Sequence, residues 1–208
     1  MISLPPQVET VLRAMAQEGA THDTAETAHA RKRLNLEWPT AETLFVAVRL
    51  ARRRRILEIG TSNGFSTIWL ASAIAQQEEG ELISIERHAE KSAQAAHNLK
   101  KAGLSRWVTL LQGEATPVVA ELEGTFDCVF FDADRVTAKD QFASLLPRLT
   151  PDALLLADNV LSHPHEIAGY LECVEESGHF DCVTLPVGKG LHLAMRRPLV
   201  IPDNPAPE

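Results

Sequence analysis

The chain is poor in cysteine: Cys128, Cys173 and Cys182 are its only three, widely spaced and without a CxxC pair. An odd, scattered set excludes a disulfide framework and a Cys-rich zinc site. It fits a reducing compartment and reads as small buried hydrophobes. Positive charge is also in deficit, with 20 Lys and Arg against 28 Asp and Glu, a formal charge of −8. A sequence-independent nucleic-acid binder needs a basic face that displaces counterions, so no nucleic-acid partner is expected. The basic clusters Arg31-Lys32-Arg33 and Arg52 to Arg55 do not reverse this, and the second reads as a solvated edge ahead of a buried strand. No apolar run approaches the ~18 residues that span a bilayer. The N-terminus, MISLPPQVET, lacks a basic stretch followed by an apolar one, so no secretory leader and no membrane partner are read. Aromatic residues make up only 5%. Trp38, Trp69 and Trp107 read as packing residues, with Trp38 placed where an N-terminal segment could roof a site. What remains is 208 residues, 45% hydrophobic and 23% charged, the composition of one packed, soluble, cytoplasmic domain.

Periodicity then organises the chain. Val8, Val11, Leu12 and Met15 repeat at helical spacing after Pro5-Pro6, and the polar stretch Thr21 to Arg33 is expected to continue as helix. Pro39-Thr40 opens a clearer helix, with Ala41, Leu44, Phe45 and Val48 on one face. From Arg55 onward, short apolar runs bounded by Gly, Asp or Asn read as buried parallel strands: ILEIG (56–60), ELISIE (81–86), WVTLL (107–111), FDCVFFD (126–132) and ALLLAD (153–158). Helical periods follow the first (Phe65, Ile68, Trp69, Ser72), the fourth (Phe142, Leu145, Leu146, Leu149) and the fifth (Ile167, Leu171, Val174). Such alternation implies right-handed βαβ crossovers and a doubly wound sheet. The end differs: FDCVTLPV, a Gly-Lys-Gly turn at 188–190 and LHLAMRR read as a β-hairpin. The Pro-rich stretch from Pro198 reads as a flexible tail.

In open α/β sheets, ligands collect beyond the carboxyl ends of the strands. Gly60-Thr61-Ser62-Asn63-Gly64-Phe65-Ser66-Thr67 follows the first strand. Glu86 ends the second, Asp132-Ala133-Asp134-Arg135 follows the fourth, and Asp158-Asn159 follows the fifth. The glycine loop lets backbone pass close to a ligand at a helix N-terminus. Its GxxxG spacing is not the GxGxxG of dinucleotide pyrophosphate sites, and it lacks the Lys-Ser/Thr of a phosphate loop. A carboxylate just before it, Glu58, suits an ammonium better than a pyrophosphate. Glu86 is placed to accept from ribose hydroxyls. Together the loop and Glu86 favour a bound nucleoside.

LEIGTSNGFSTIWLA, ISIER, FDCVFFDADR and LLLADNVL, in this order and spacing, resemble the class I S-adenosylmethionine (SAM) dependent methyltransferases. They are closest to the catechol/caffeoyl-CoA O-methyltransferase-like group, O-methyltransferase family 3. The resemblance runs from about Trp38 to Arg197. It implies an α/β, Rossmann-like, doubly wound seven-stranded sheet, mostly parallel with its last strand antiparallel and with extra N-terminal helices. Residues 1–37 would be the N-terminal helical segment, 38–197 the methyltransferase domain and 198–208 the tail. By resemblance, Glu58, Gly60, Thr61, Ser62 and Gly64 surround the methionine part of SAM, with Ser66 near its carboxylate. Glu86 holds the ribose, and Gly113, Glu114 and Ala115 border the adenine. Asp132 lies between cofactor and acceptor. In metal-dependent relatives the positions of Asp132, Asp158 and Asn159 ligate a divalent cation such as Mg²⁺. A homodimer and a small hydroxylated aromatic acceptor are also implied.

Methyl transfer from a sulfonium is an in-line displacement that needs an aligned, anionic acceptor oxygen. Three oxygen ligands suit hard Mg²⁺, which would act as Lewis acid and template. Arg135 stands where metal-dependent relatives carry a lysine base. Guanidinium does not deprotonate, so its expected role is electrostatic. Ala138 stands where those relatives often carry an aromatic residue. In the loop after Asn159, His163 is the candidate base, against the simpler reading that Ser162 or His163 begins a helix. His22, His29, His88, His97, His179 and His192 show no metal-ligand spacing. Two other readings compete: a nicotinamide-dependent oxidoreductase, opposed by the GxxxG loop and the terminal hairpin, and a catalytically weakened SAM-binding regulator.

Overall fold

The structure is a computed structural model that describes residues 2–28 and 31–198. His29 and residues 199–208 of the expected tail lie outside the described residues. Seven strands, β1 (Arg55–Ile59), β2 (Glu81–Glu86), β3 (Val108–Gln112), β4 (Phe126–Phe131), β5 (Leu149–Ala157), β6 (Phe180–Leu185) and β7 (Leu191–Arg196), form one sheet in the order β3-β2-β1-β4-β5-β7-β6. Strands β1 to β5 pair in parallel, and β7 runs antiparallel to both β5 and β6. The expected doubly wound sheet with an antiparallel last strand is therefore observed. The strand order reverses between β1 and β4, the switch point at which such sheets open a crevice.

Among the described residues seven α-helices accompany it: α1 (Pro6–Ala25), α2 (Trp38–Leu50), α3 (Phe65–Ala75), α4 (Ala89–Ala102), α5 (Ala115–Glu121), α6 (Ala138–Leu145) and α7 (Pro164–Glu176). Alternate strand residues face two separate cores. Ile56, Leu82, Cys128, Phe130, Leu154 and Leu156 pack with α1 to α4, whereas Leu57, Ile83, Val129, Phe131 and Leu155 pack with α5 to α7. Every residue of α3 from Phe65 to Ile74 is buried, because α3 lies on the sheet and is covered in turn by α1 and α2. A helix apolar on all sides needs such a double cover. Trp38 belongs to this packing, edge-on to Trp69 at 5.2 Å and to Phe65 at 6.2 Å.

Several expectations change. Thr21 to Arg33 is not one helix: α1 stops at Ala25. The Asp23 carboxylate accepts from the backbone N–H groups of Arg33 (2.7 Å) and Leu34 (2.8 Å), and Glu26 accepts from Ala28 N–H. Short acidic side chains that bind nearby backbone compete with helix in this way. Leu149 begins β5 rather than extending α6, after a 3₁₀ turn at Leu146–Arg148 that contains Pro147. α4 and α5 were not among the helical periods read from the sequence. Of the cysteines only Cys128 is buried, while Cys182 is exposed on edge strand β6. Nor is Arg52 to Arg55 a plain solvated edge. Arg53 is buried and pairs with Asp152 at 2.8 Å, and the backbone N–H groups of Arg54 and Arg55 donate to Asp127.

Candidate functional site

The site is assembled by a ladder of backbone hydrogen bonds across the carboxyl ends of the central strands. Gly60 and Thr61 N–H donate to Ile85 O, Gly113 N–H to Glu86 O, Asp132 N–H to Ile59 O, and Asp158 N–H to Phe131 O. Five separate chain segments are thereby held side by side. Gly60 sits at φ +107°, and a Cβ there would stand 2.4 Å from the Asp132 carbonyl oxygen. Only glycine permits β1 and β4 to close this tightly. Ser62 (φ 48°) and Asn159 (φ 67°) are also left-handed, a conformation that costs energy in side-chain-bearing residues and clusters at functional sites.

A cavity of about 440 Å³ opens here, lined by Gly60, Ser62, Glu86, Gly113, Glu114, Ala115 and Arg135 among the expected residues. Leu34, His88, Lys91, Thr116, Thr137 and Gln141 also line it and were not singled out from the sequence. Glu86 is buried and accepts from the backbone N–H groups of Ser62 (2.8 Å) and His88 (2.8 Å). Its carboxylate thus fixes the glycine loop while facing the cavity. The loop is also strapped from the N-terminal side, where Ser62 Oγ donates to Arg33 O at 2.7 Å and Lys91 Nζ to Lys32 O at 2.8 Å. Leu34, at φ 50°, is carried over the cavity by this strap. The signal for it in the sequence was Asp23, but its partners lie ten and eleven positions away.

Glu58, Thr61, Gly64 and Ser66 do not line the cavity. Glu58 is fully buried, and its Oε1 accepts from Ser66 Oγ at 2.5 Å. Its Oε2 accepts from Thr67 Oγ1 (2.6 Å) and Ser84 Oγ (2.5 Å). The carboxyl therefore ties the first turn of α3 to β1 and β2 from behind the loop, rather than presenting itself to an ammonium. Burial pushes it up to about 7, against the pull of the three hydroxyls. Thr61 Oγ1 bonds Ser84 Oγ at 2.6 Å in the same network. Gly64 (φ +89°) begins α3, where a Cβ would meet Ala95 Cβ at 3.1 Å. Its conformational freedom serves the turn and the packing against α4.

Asp132, Asp158 and Asn159 do not line the cavity either; they converge beside it, next to the lining residues Gly60, Ala133 and Arg135. Asn159 Nδ2 donates to Asp158 Oδ2 at 2.8 Å and approaches Asp132 Oδ1 at 3.4 Å. Asp158 Oδ1 is buried without a hydrogen-bond partner. Burial and the neighbouring Asp158 and Glu58 charges hold Asp132 well above the usual carboxylate range, and burial lifts Asp158 to about 6. Arg135 and Lys189 act on both in the opposite direction. Arg135 is paired with Glu166 of α7 (Nη2 to Oε2, 2.7 Å), and Lys189 with Glu37 (3.2 Å). The four carboxylates against two cations leave this end two negative charges in excess when all are ionised. His163 precedes α7 with Pro164 in the first helical turn and bonds Ser162 Oγ through Nδ1 at 2.8 Å. His192 is buried against Tyr170 and held down at about 4 by burial.

Residues 57–160 match the methyltransferase domain family. The chain is 33% identical over 168 residues to a catechol O-methyltransferase of Mycobacterium tuberculosis, spanning 76% of this chain and 73% of that one. It is 35% identical over 122 residues to a catechol O-methyltransferase of Niastella koreensis, a match covering 57% of this chain and only 54% of that protein. Among solved structures it superposes on the O-methyltransferase TomG of Streptomyces achromogenes, in complex with SAM, with a TM-score of 0.72 and 25% identity over 95% of this chain and 92% of that one. With this sheet order, this loop and these relatives, the chain belongs to the class I SAM-dependent O-methyltransferase family of the catechol/caffeoyl-CoA type.

Proposed function

We propose that the protein transfers the methyl group of SAM to a hydroxyl of a small hydroxylated aromatic acceptor. The observation that carries this reading is a cavity at the β1/β4 switch point with a chemically different cluster beside it. A glycine loop, a buried glutamate and the 113–116 turn line the cavity, and two aspartates with an asparagine converge next to it. SAM would lie in the cavity, with Glu86 on the ribose hydroxyls, Gly113, Glu114 and Ala115 against the adenine, and Ser62 beside the methionine part. Glu58, Thr61, Gly64 and Ser66 support the loop from behind. In the reaction the S–CH₃ bond breaks as the C–O bond forms, and S-adenosylhomocysteine (SAH) leaves.

Asp132, Asp158 and Asn159 fit a divalent cation such as Mg²⁺. The donors are hard oxygens, Asp158 Oδ1 is unpartnered, and the Asn159 carboxamide can present its oxygen in place of its nitrogen by a half-turn. The two negative charges in excess match one such ion. When bound, the ion would supply Lewis-acid stabilisation of the acceptor oxyanion. Arg135 cannot take the acceptor proton, so it stabilises negative charge instead. His163 is the side chain proposed to receive the proton. Residues 38–197 would carry this chemistry in a cytoplasmic homodimer, with no nucleic-acid or membrane partner, and residues 1–37 would complete the roof. No helix among the described residues is long and apolar enough to cross a membrane.

Calorimetric titration of SAM in Mg²⁺ and in EDTA, with NAD as comparator, tests the reading. SAM binding without NAD binding is expected, and a folded protein that binds no SAM would end it. A His163→Ala variant with full turnover across the pH range would remove that residue as the base.

A further inference from the structure

The Gly-Lys-Gly turn between β6 and β7 lies beside the loop that follows Asp158 and Asn159. Strand β7 lies beside β5, with His192 opposite Ala157, so the turn reaches the carboxyl end of β5. Its backbone is fixed there. Lys189 O accepts from Leu161 N–H (3.0 Å) and Ser162 N–H (3.1 Å), and Gly190 O from Val160 N–H (3.1 Å). Both glycines are left-handed, and neither tolerates a side chain. A Cβ on Gly188 would stand 2.2 Å from Thr40 Oγ1 and 2.7 Å from Glu37 Oε2, and one on Gly190 would stand 2.5 Å from Leu161 Cγ. The turn is thus wedged between α2 with its preceding residue and the loop after β5.

The Lys189 side chain, by contrast, is free to change partner. Its ion pair with Glu37 is 3.2 Å long, and the two side chains are 44% and 36% exposed. Pairs of this exposure contribute at most about 1 kcal/mol, so an incoming anion can replace one readily. Beside it, Glu37 Oε2 and Thr40 Oγ1 are both buried without a hydrogen-bond partner. Both atoms are covered by the Gly188 backbone, so the exposed part of the pair is the Lys189 ammonium with Glu37 Oε1. Arg135 differs: its Nε and Nη2 both hold Glu166 Oε2, at 2.8 and 2.7 Å.

We propose that Lys189 is a specificity-determining residue of the acceptor site, where its ammonium receives a carboxylate on the acceptor. This rests on the methyltransferase reading, because it needs an acceptor whose hydroxyl lies at Asp132 and Asp158. Glu37 then serves as the resting partner that keeps the lysine oriented when the site is empty. The preferred acceptor is a hydroxylated aromatic acid, and its uncharged amide is discriminated against.

The test is a titration of 3,4-dihydroxybenzoate and, separately, 3,4-dihydroxybenzamide into SAH-loaded, Mg²⁺-containing protein. The wild type is expected to bind the acid about tenfold more tightly than the amide, as one charge-assisted contact allows. In Lys189→Met the preference collapses to within about twofold, and Lys189→Arg restores it. SAH affinity, measured in each variant, reports that the fold and the cofactor site are intact. Equal binding of acid and amide by the wild type, a preference that survives in Lys189→Met, or no binding of either probe to SAH-loaded protein would overturn the assignment. Failure to bind SAH is a separate result that overturns the methyltransferase reading and this inference with it.

Discussion

The two ends of the candidate site, the cavity at the glycine loop and the aspartate cluster beside it, are built by different rules. At the glycine-loop end, Gly60, Ser62 and Glu86 are fixed by backbone geometry and by hydrogen bonds to main-chain groups. At the aspartate end, Glu37, Asp132, Arg135, Asp158, Glu166 and Lys189 come from distant segments and are related by charge. The first end is stiff and stereochemical, so small steric changes there are expensive. The second is electrostatic and partly open to solvent, so it tolerates exchange of partners and is the place where specificity can change. Perturbations at the two ends should therefore differ in size and in what they report.

The largest effect is expected at Gly60. Alanine there combines a 2.4 Å clash with the Asp132 carbonyl and an unfavourable φ of +107°. Gly60→Ala should cost roughly 3 kcal/mol or more in urea unfolding and weaken SAM binding by about a hundredfold or more. A SAM affinity close to wild type would show that the loop is not the stiff element described above.

Glu58 gives the next effect, and it appears as pH dependence. With the carboxyl raised from 4.5 to about 7, the native state binds a proton that the unfolded chain has released. Stability is therefore fully present below 4.5 and is lost as pH rises towards 7, by roughly 3 kcal/mol at about 1.4 kcal/mol per pH unit. Glu58→Gln removes the titration and matches the neutral carboxyl in shape, with its oxygen accepting from Thr67 and Ser84 and its amide donating to Ser66 Oγ. Its melting temperature, measured without SAM, should match wild type at pH 5 and exceed it at pH 8. Parallel pH curves for the two proteins would remove Glu58 as the titrating group.

At the aspartate end the effects are smaller and more specific. Asp158→Asn removes one negative charge and an oxygen donor, so Mn²⁺ binding followed by electron paramagnetic resonance should weaken by about tenfold or more. SAM affinity should move far less, which sharpens the contrast between the ends; equal losses would merge them. The smallest effect is expected for Glu166→Gln. The Arg135 pair has its side chains 22% and 48% exposed, so stability should fall by no more than about 1 kcal/mol in thermal unfolding. A larger loss would mean that the aspartate end is more rigid than its exposure indicates.

Legibility in the sequence follows the same division. Apolar runs gave the strand positions because the central strands β1, β2 and β4 are buried on both faces; edge strand β3, expected to be buried as well, has no fully buried residue. The glycine loop and Glu86 were legible because each is a short local pattern at a strand end, whereas the 113–115 turn came only through the family resemblance. α4 was not singled out because few of its residues are buried. The end of α1 was missed because the residues that stop it, Asp23 and Glu26, bind backbone further along the chain. Glu58 was identified as important, but its direction was not legible. Its three hydroxyl partners become neighbours only when α3 folds back over β1 and β2 registers with it, Ser84 opposite Glu58.

Lys189 and Glu37 were invisible as site residues for a similar reason. In the chain, Gly-Lys-Gly is a hairpin turn and Glu37 the residue before a helix. Only the pairing of β7 with β5 and the packing of α2 against the turn bring them together near Asp158. The sequence by itself determined the sheet, the switch point and the residues at each strand's carboxyl end, because hydrophobic periodicity and backbone stereochemistry act over a few residues. Tertiary structure decided which carboxylates face the cleft, which are consumed by hydroxyls behind it, and which cations reach the aspartates. Burial and electrostatic interaction depend on distances across space, and separation along the chain does not encode them.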